Sequence, residues 1–235
     1  MEGLAAKRII KDYEMLRKNK DELESRGIYI FVDETNISEL SVLIVPREKK
    51  EGDLISPYNF GFFMFKIAYG SEFPMSPPKV TFHPQQNYCR MHPNYYTTGK
   101  VCLSVINTWA SNDWSPSTST MSLINVLEER FNENGICFEP AYEMAAKDMK
   151  WHYNKAVEYS KYKVCFLDIY DSNMFSIFKE EMTAELQKNF PYLMKRLEDL
   201  RGEYGDNSVA STHCYGFKIV CDYSYMIDQM KKKFQ

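Results

Sequence analysis

Half of the chain's ten prolines, Pro74, Pro77, Pro78, Pro84 and Pro93, fall within residues 74–93. Each ring fixes its own φ and pushes the preceding residue out of the helical region, so no helix crosses this stretch and its loops are stiff. The chain upstream divides into short apolar, β-branched or aromatic runs. Residues 28–32 and 40–45 read as strands, 60–68 as a third and 79–82 as a short fourth. Four successive strands with short links make an antiparallel meander, which buries one face under helices.

Helical spacing brackets the meander. Over residues 3–25, Leu4, Ile9, Tyr13, Leu16 and Leu23 form an apolar stripe, and Gly27 ends it. Residues 117–132 repeat the pattern with Met121, Ile124, Val126, Leu127 and Phe131, capped by Ser117 or Ser119. After Glu139-Pro140, residues 141–161 read as a helix rich in Lys, Tyr and Met. Residues 173–201 form a long helix that Pro191 is expected to kink or split. Residues 202–212 read as a polar loop and 217–234 as a helix. The class is α+β, with one domain over residues 1–150 and a mostly helical segment over 151–235 packed on it. There is no internal repeat and no low-complexity tract.

Composition narrows the partners. A net charge of −3 gives no electrostatic case for nucleic acid. No apolar run approaches the roughly 20 residues that span a bilayer, so a membrane is not expected. The amino terminus lacks the apolar core of a signal peptide. Cys89, Cys102, Cys137, Cys165, Cys214 and Cys221 are widely scattered, and a chain this long builds its core without disulfides. An intracellular site follows, cytoplasmic, nuclear or both. Cys89 and His92 are spaced like metal ligands with Cys102 near, but there is no Cys-x-x-Cys pair and other ligands would be distant. Neither metal nor cofactor is expected, and the other five cysteines read as core packing or idle surface thiols.

The chemistry concentrates after the prolines. His92-Pro93-Asn94 sets a braced turn and a side-chain amide just ahead of Gly99-Lys100-Val101-Cys102-Leu103, and Trp114-Ser115-Pro116 forms a second rigid turn behind. Acyl transfer to a thiol needs a nucleophile, a dipole near the developing oxyanion and walls that hold both. With Tyr69-Gly70-Ser71-Glu72-Phe73-Pro74-Met75-Ser76-Pro77-Pro78-Lys79-Val80 upstream, these motifs in this order resemble a ubiquitin-conjugating enzyme (E2). The resemblance runs from about Leu4 to Lys150.

It implies the conjugating fold, a meander flanked by helices, and a transferase that needs no cofactor of its own. Its partners would be ubiquitin or a ubiquitin-like protein, an E1 activating enzyme, an E3 ligase and protein substrates. Cys102 would accept the modifier from E1 as a thioester and pass it to a substrate lysine or an E3 cysteine. An unperturbed thiol has a pKa of about 8.5, and Lys100 is the one sequence-adjacent cation. A cysteine that receives an already activated acyl group suffices.

Asn94 matches the family's oxyanion-side asparagine; a donor there is worth about 10²–10³ in rate, though an Asn in such a turn also bonds nearby backbone. His92 and Pro93 are expected to be structural, with no general-base role for His92. Glu139 before Pro140, with Asn134 in the loop leading to it, matches the acidic residue that receives the proton of the attacking amine. A free lysine, with a pKa of about 10.4, is otherwise almost wholly protonated at neutral pH. Glu139 also has a bland reading, as a carboxylate at a helix amino terminus.

Ser104 stands where many members carry Asp, and the stretch to Trp114 is longer than in the minimal enzyme. With Glu139-Pro140 and the long carboxyl-terminal addition, this resembles the large Z-type branch, some of whose members handle a ubiquitin-like modifier. Lys7, Arg8 and Lys11 match the basic face offered to E1. Met75, with Trp114, Ser115 and Pro116, matches the loops that dock E3 domains. Two alternatives are a non-catalytic adaptor that binds ubiquitin or an E3, and a zinc scaffold; the adaptors of this family lack the cysteine.

Overall fold

The computed structural model describes residues 3–48, 56–109, 112–212 and 214–235; Ala110 and Ser111 of the expected insertion lie outside the described residues. The amino-terminal helix is two segments, α1 (Leu4–Lys18) and α2 (Lys20–Ser25). The Asn19 side chain donates to Met15 O at 2.7 Å, competing with the backbone ladder where the segments meet. The buried stripe of α1 is Ala5, Ile9, Asp12 and Leu16. Leu4, expected on that stripe, is exposed, because the stripe begins one residue later and its third place is filled by the Asp12 carboxylate. Gly27 ends α2 with φ at 82°, and a Cβ there would meet Val45 O at 2.2 Å, so only glycine fits this turn into the sheet.

Strands β1 (Ile28–Val32), β2 (Glu39–Ile44), β3 (Phe63–Ala68) and β4 (Lys79–His83) form the expected antiparallel meander in sequence order. The register places Ile30, Val42, Phe65 and Phe82 in one row and Val32, Leu40, Ile67 and Val80 in the next, all on the inner face. Helix α3 (Thr120–Glu129) covers that face with Leu123, Ile124 and Leu127, and Ser119 caps it by accepting from Ser122 N. Phe131, just past α3, stacks on Phe63 with ring centroids 4.4 Å apart. Large aromatic rings thus make the contact between helix and sheet, each burying more apolar area than an aliphatic side chain.

The outer face is half covered. Its row Tyr29, Leu43, Met64 and His83 lies under the carboxyl-terminal third, where Tyr29 donates to Glu185. Phe62, one residue ahead of β3, packs on Phe166 at 5.2 Å. The neighbouring row keeps Phe31 and Lys66 in solvent.

Helix α4 spans Lys147–Lys161, six residues shorter at its start than the periodicity suggests, since Ala141 adopts a positive φ and the chain turns there. It continues without a break as a π-helical stretch, Tyr162–Asp168. A short 3-10 turn, Asn173–Phe178, leads into α5 (Lys179–Tyr204).

Three expectations for this third need correction. Pro191 lies inside α5 and the helix runs through it. A proline there costs about 3 kcal/mol, but Leu186, Leu193, Met194, Leu197 and Leu200 are buried around it, and each such side chain contributes about 1.5–3 kcal/mol. The stretch read as a loop contains strand β5 (Ser208–Thr212), and the stretch read as a helix begins with strand β6 (Phe217–Cys221). β5 and β6 pair as an antiparallel hairpin against α4, because Ile219 and Cys221 alternate inward with exposed Lys218 and Val220. Only after Asp222, which accepts from Tyr225 N at 2.8 Å, does helix α6 (Tyr223–Phe234) start. The added segment is therefore helical with a hairpin set into it.

Ion pairs built on buried carboxylates tie it down. Arg196 of α5 grips Glu158 of α4 through two bonds of 2.8 and 2.9 Å, and Arg47 beyond β2 pairs with Glu185. Among the described residues, no helix is long and apolar enough to cross a membrane.

Burial holds His92 well below the usual imidazole range and His83 below it, so both are neutral in the fold. In the unfolded chain each takes a proton as the pH falls through about 6.5, so the unfolded state binds more protons there. Stability is then expected to fall with falling pH, by up to about 1.4 kcal/mol per unit for His92 and by less for His83, whose shift is smaller. Urea unfolding followed from about pH 7.5 to 5.5 checks this; an unchanged midpoint would mean that both histidines protonate in place.

Candidate active site

The stiff loop after β4 doubles back on itself. Tyr95 forms isolated bridges with His92 and with Val101, and Lys100 bridges to Thr81 of β4, so the turn and the cysteine segment hang from the edge of the sheet. Two hydrogen bonds then join the turn to the nucleophile candidate. Cys102 N donates to Asn94 O at 2.9 Å, and Asn94 Nδ2 donates back to Cys102 O at 2.9 Å. This reciprocal bracket sets the backbone of Cys102 against Asn94, as the motif spacing implied.

His92 is fully buried. Its Nδ1 accepts from Asn94 N at 3.1 Å, which fixes the turn. Desolvation first, and then the positive charge of Arg130, hold the ring neutral, so it is built as a structural acceptor. The carbonyl just before it, Met91 O, accepts from both Tyr58 (2.8 Å) and Tyr153 (3.0 Å), whose hydroxyls also meet at 3.0 Å. Tyr153 belongs to α4, so that helix braces the turn from below. Gly135 makes room for this pair, since a Cβ there would lie 2.6 Å from Tyr58 Oη.

The Cys102 thiol is nearly buried and donates to Thr108 O at 3.3 Å. Thr108 Oγ1 accepts from Leu103 N at 2.9 Å and donates to Leu103 O at 3.1 Å. Thr108 therefore closes onto the cysteine segment, and it was not singled out in the sequence because nothing marks a threonine in a loop. Ser104 opens a 3-10 turn, Ser104–Ile106, whose end Asn107 adopts φ of 55° and accepts from Trp114 N. Desolvation raises the thiol pKa of the other buried cysteines, with Cys89 and Cys165 pushed up to about 12. All six cysteines are free, and among the described residues no group of three or more His, Cys, Asp or Glu is arranged to hold a metal.

A cleft of about 210 Å³ opens beside Cys102, lined also by Asn94, Trp109, Phe138, Glu139 and Glu143. Glu139 follows the 3-10 turn Gly135–Phe138, which brings it to the same cleft as Cys102. Arg90 stands 4.0 Å from that carboxylate, lies over the Tyr96 ring at 3.8 Å and donates to Pro93 O. Tyr215, at the tip of the β5–β6 hairpin, donates to Glu139. Neither Arg90 nor Tyr215 was legible as a site residue, because Tyr215 reaches Glu139 across 76 residues of chain.

Of the expected docking residues, Lys7 and Lys11 are exposed on α1 and Met75 is exposed on its loop. Arg8 leaves the basic face. Its guanidinium bonds to Asp12, Pro116 O and Thr118 O and lies over Phe73, so it ties α1 to the Trp114-Ser115-Pro116 turn. Ser115 and Pro116 are exposed, whereas Trp114 is half-buried and donates from Nε1 to Pro74 O at 2.7 Å. Trp114 is thus a brace between the two loops.

The family model described as "Ubiquitin-conjugating enzyme" matches residues 8–163. The chain belongs to the ubiquitin-conjugating enzyme family. Among curated relatives, ubiquitin-conjugating enzyme E2 Z of Danio rerio is 28% identical over 167 residues, covering 70% of this chain and 48% of that protein. E2 Z of Homo sapiens is 30% identical over 146 residues, covering 61% of this chain and 39% of that protein. Probable ubiquitin-conjugating enzyme E2 25 of Arabidopsis thaliana is 34% identical over 146 residues, covering 60% and 22%. The chain is thus related to the Z-type branch and spans half or less of these relatives' lengths. A solved E2 from Plasmodium falciparum is 26% identical, covers 56% of this chain and 86% of its own, and has a TM-score of 0.45. The meander flanked by helices lies within the residues that the family model matches.

Proposed function

We propose that this E2 carries ubiquitin, or a ubiquitin-like modifier, as a thioester on Cys102. The observation that supports it most is the reciprocal bracket between Asn94 and the backbone of Cys102, two residues that line one cleft. The Cys102 sulfur attacks the activated carboxyl carbon held by E1; the new carbon–sulfur bond forms and the E1 thiolate leaves. An acceptor nitrogen, a substrate lysine or in its place an E3 sulfur, then attacks the same carbon and Cys102 departs as thiolate.

In this reading Asn94 has two parts. One amide hydrogen holds Cys102 O, and the amide group carries a second hydrogen with which to meet the oxyanion. Glu139 accepts the proton of the incoming amine at the opposite side of the cleft. Thr108 O, already bonded to the thiol, anchors the sulfur before charging.

The same reading assigns Lys7 and Lys11 to contact with E1, and Met75 with Ser115 and Pro116 to contact with an E3. Arg8 and Trp114 support those surfaces from within. It assigns the conjugating domain to residues 1–150 and the added segment to 151–235, with α4 running across the boundary and helping to hold the active turn. The site of action is intracellular.

Cys102→Ser is expected to trap a reductant-resistant oxyester with ubiquitin in the presence of E1 and ATP, while Cys137→Ser charges like the parent. Loss of charging in the Cys137 variant alone would move the nucleophile. Glu139→Ala is expected to charge normally and to discharge onto free lysine about 10²-fold more slowly, the low end for loss of a positioned acid–base group. Single-turnover discharge reads this, and an unchanged rate would remove Glu139 from the mechanism.

A further inference from the structure

The hairpin that interrupts the helical addition places one side chain against Glu139 and Arg90, two residues that line the cleft beside Cys102. β5 and β6 pair from Ser208–Cys221 to Thr212–Phe217, and Gly216, with φ of 68°, turns the tip. Tyr215 sits on that tip. Its hydroxyl donates to Glu139 Oε2, and its ring lies against the Arg90 guanidinium, 4.3 Å from centroid to carbon. Arg90 is sandwiched, because the Tyr96 ring lies at 3.8 Å. The same guanidinium donates to Pro93 O in the turn that carries Asn94, and stands 4.0 Å from the Glu139 carboxylate.

We infer that Tyr215 is a positioning residue for transfer to an amine, holding the Glu139 carboxylate at the acceptor side of the cleft. This rests on the role assigned to Glu139 above. A carboxylate on a flexible side chain, with charge-assisted contact only at 4.0 Å, has rotamer freedom that a hydroxyl donor removes. The one-methylene-longer Glu, in place of the commoner Asp, needs such an anchor more. The ring contributes separately: stacked on Arg90, it keeps that cation aimed at Pro93 O, so the hairpin also stiffens the turn before the nucleophile.

The two parts separate by substitution. Tyr215→Phe keeps the ring over Arg90 and removes the donor, so the fold and the stack persist. With full-length protein, the Tyr215→Phe thioester is expected to discharge onto free lysine about tenfold more slowly, the rate equivalent of one hydrogen bond to an ionised group. In Glu139→Ala the same change is expected to slow discharge no further, a coupling that a merely structural tyrosine would not show. Tyr225→Phe, an exposed tyrosine on α6, serves as the control that changes neither step.

Discharge of Tyr215→Phe at the parent rate overturns the inference. So does a tenfold loss that persists undiminished in the Glu139→Ala background, since Tyr215 would then act through some other group. Glu139→Ala discharging like the parent overturns the reading of Glu139 itself, and is read from that variant alone.

Discussion

Two hydrogen bonds between Asn94 and Cys102 set the geometry on which everything else at the site depends. Each residue gives one donor and one acceptor to the other, so the turn and the cysteine segment move as a unit. The surroundings are arranged to keep that unit still. His92 holds Asn94 N, two buried tyrosines hold Met91 O, and Arg90 holds Pro93 O. Four successive residues, 91–94, thus have their backbone or side chains fixed by partners from β4's loop, α4 and the region before β3. A nucleophile that receives an already activated acyl group gains more from this placement than from a strong local base.

The carboxyl-terminal third is continuous with that arrangement. Its π-helical stretch and α5 cover half the outer face of the sheet, and Glu158–Arg196 and Arg47–Glu185 lock helix to helix and helix to sheet. Removing the arginine from either pair would strand a buried carboxylate, which costs more than the pair itself contributes. The hairpin then carries Tyr215 to Glu139. Packing and chemistry therefore meet at one place, and the addition cannot be treated as a tail appended to a finished domain.

Much of this was legible in the sequence, for physical reasons. The meander showed because β-branched and aromatic runs were separated by turns, and the meeting of Asn94 with Cys102 because prolines, a side-chain amide and a cysteine stood at short fixed spacing. Gly27 marked a turn in which a Cβ would strike Val45 O. The failures are equally specific. Pro191 does not split α5, where apolar side chains are buried on both sides of it; β5, Ser-Val-Ala-Ser-Thr, has the small polar composition of a loop, and β6 runs with only Asp222 between it and the apolar pattern of α6, so the two read as one helix. Arg8 read as a surface cation because sequence cannot show that Pro116 O and Thr118 O lie within its reach. Tyr215 and Arg90 carried no local signal, since their roles exist only once the hairpin has folded back.

The central claim is that Cys102 bears the modifier. Incubation of the full chain with E1, ATP and ubiquitin, followed by non-reducing peptide mass mapping beside Cys102→Ala, tests it most directly. The account predicts a reductant-labile adduct on the peptide containing Cys102 and none in the variant. An adduct on another cysteine, or one that survives in Cys102→Ala, would contradict it.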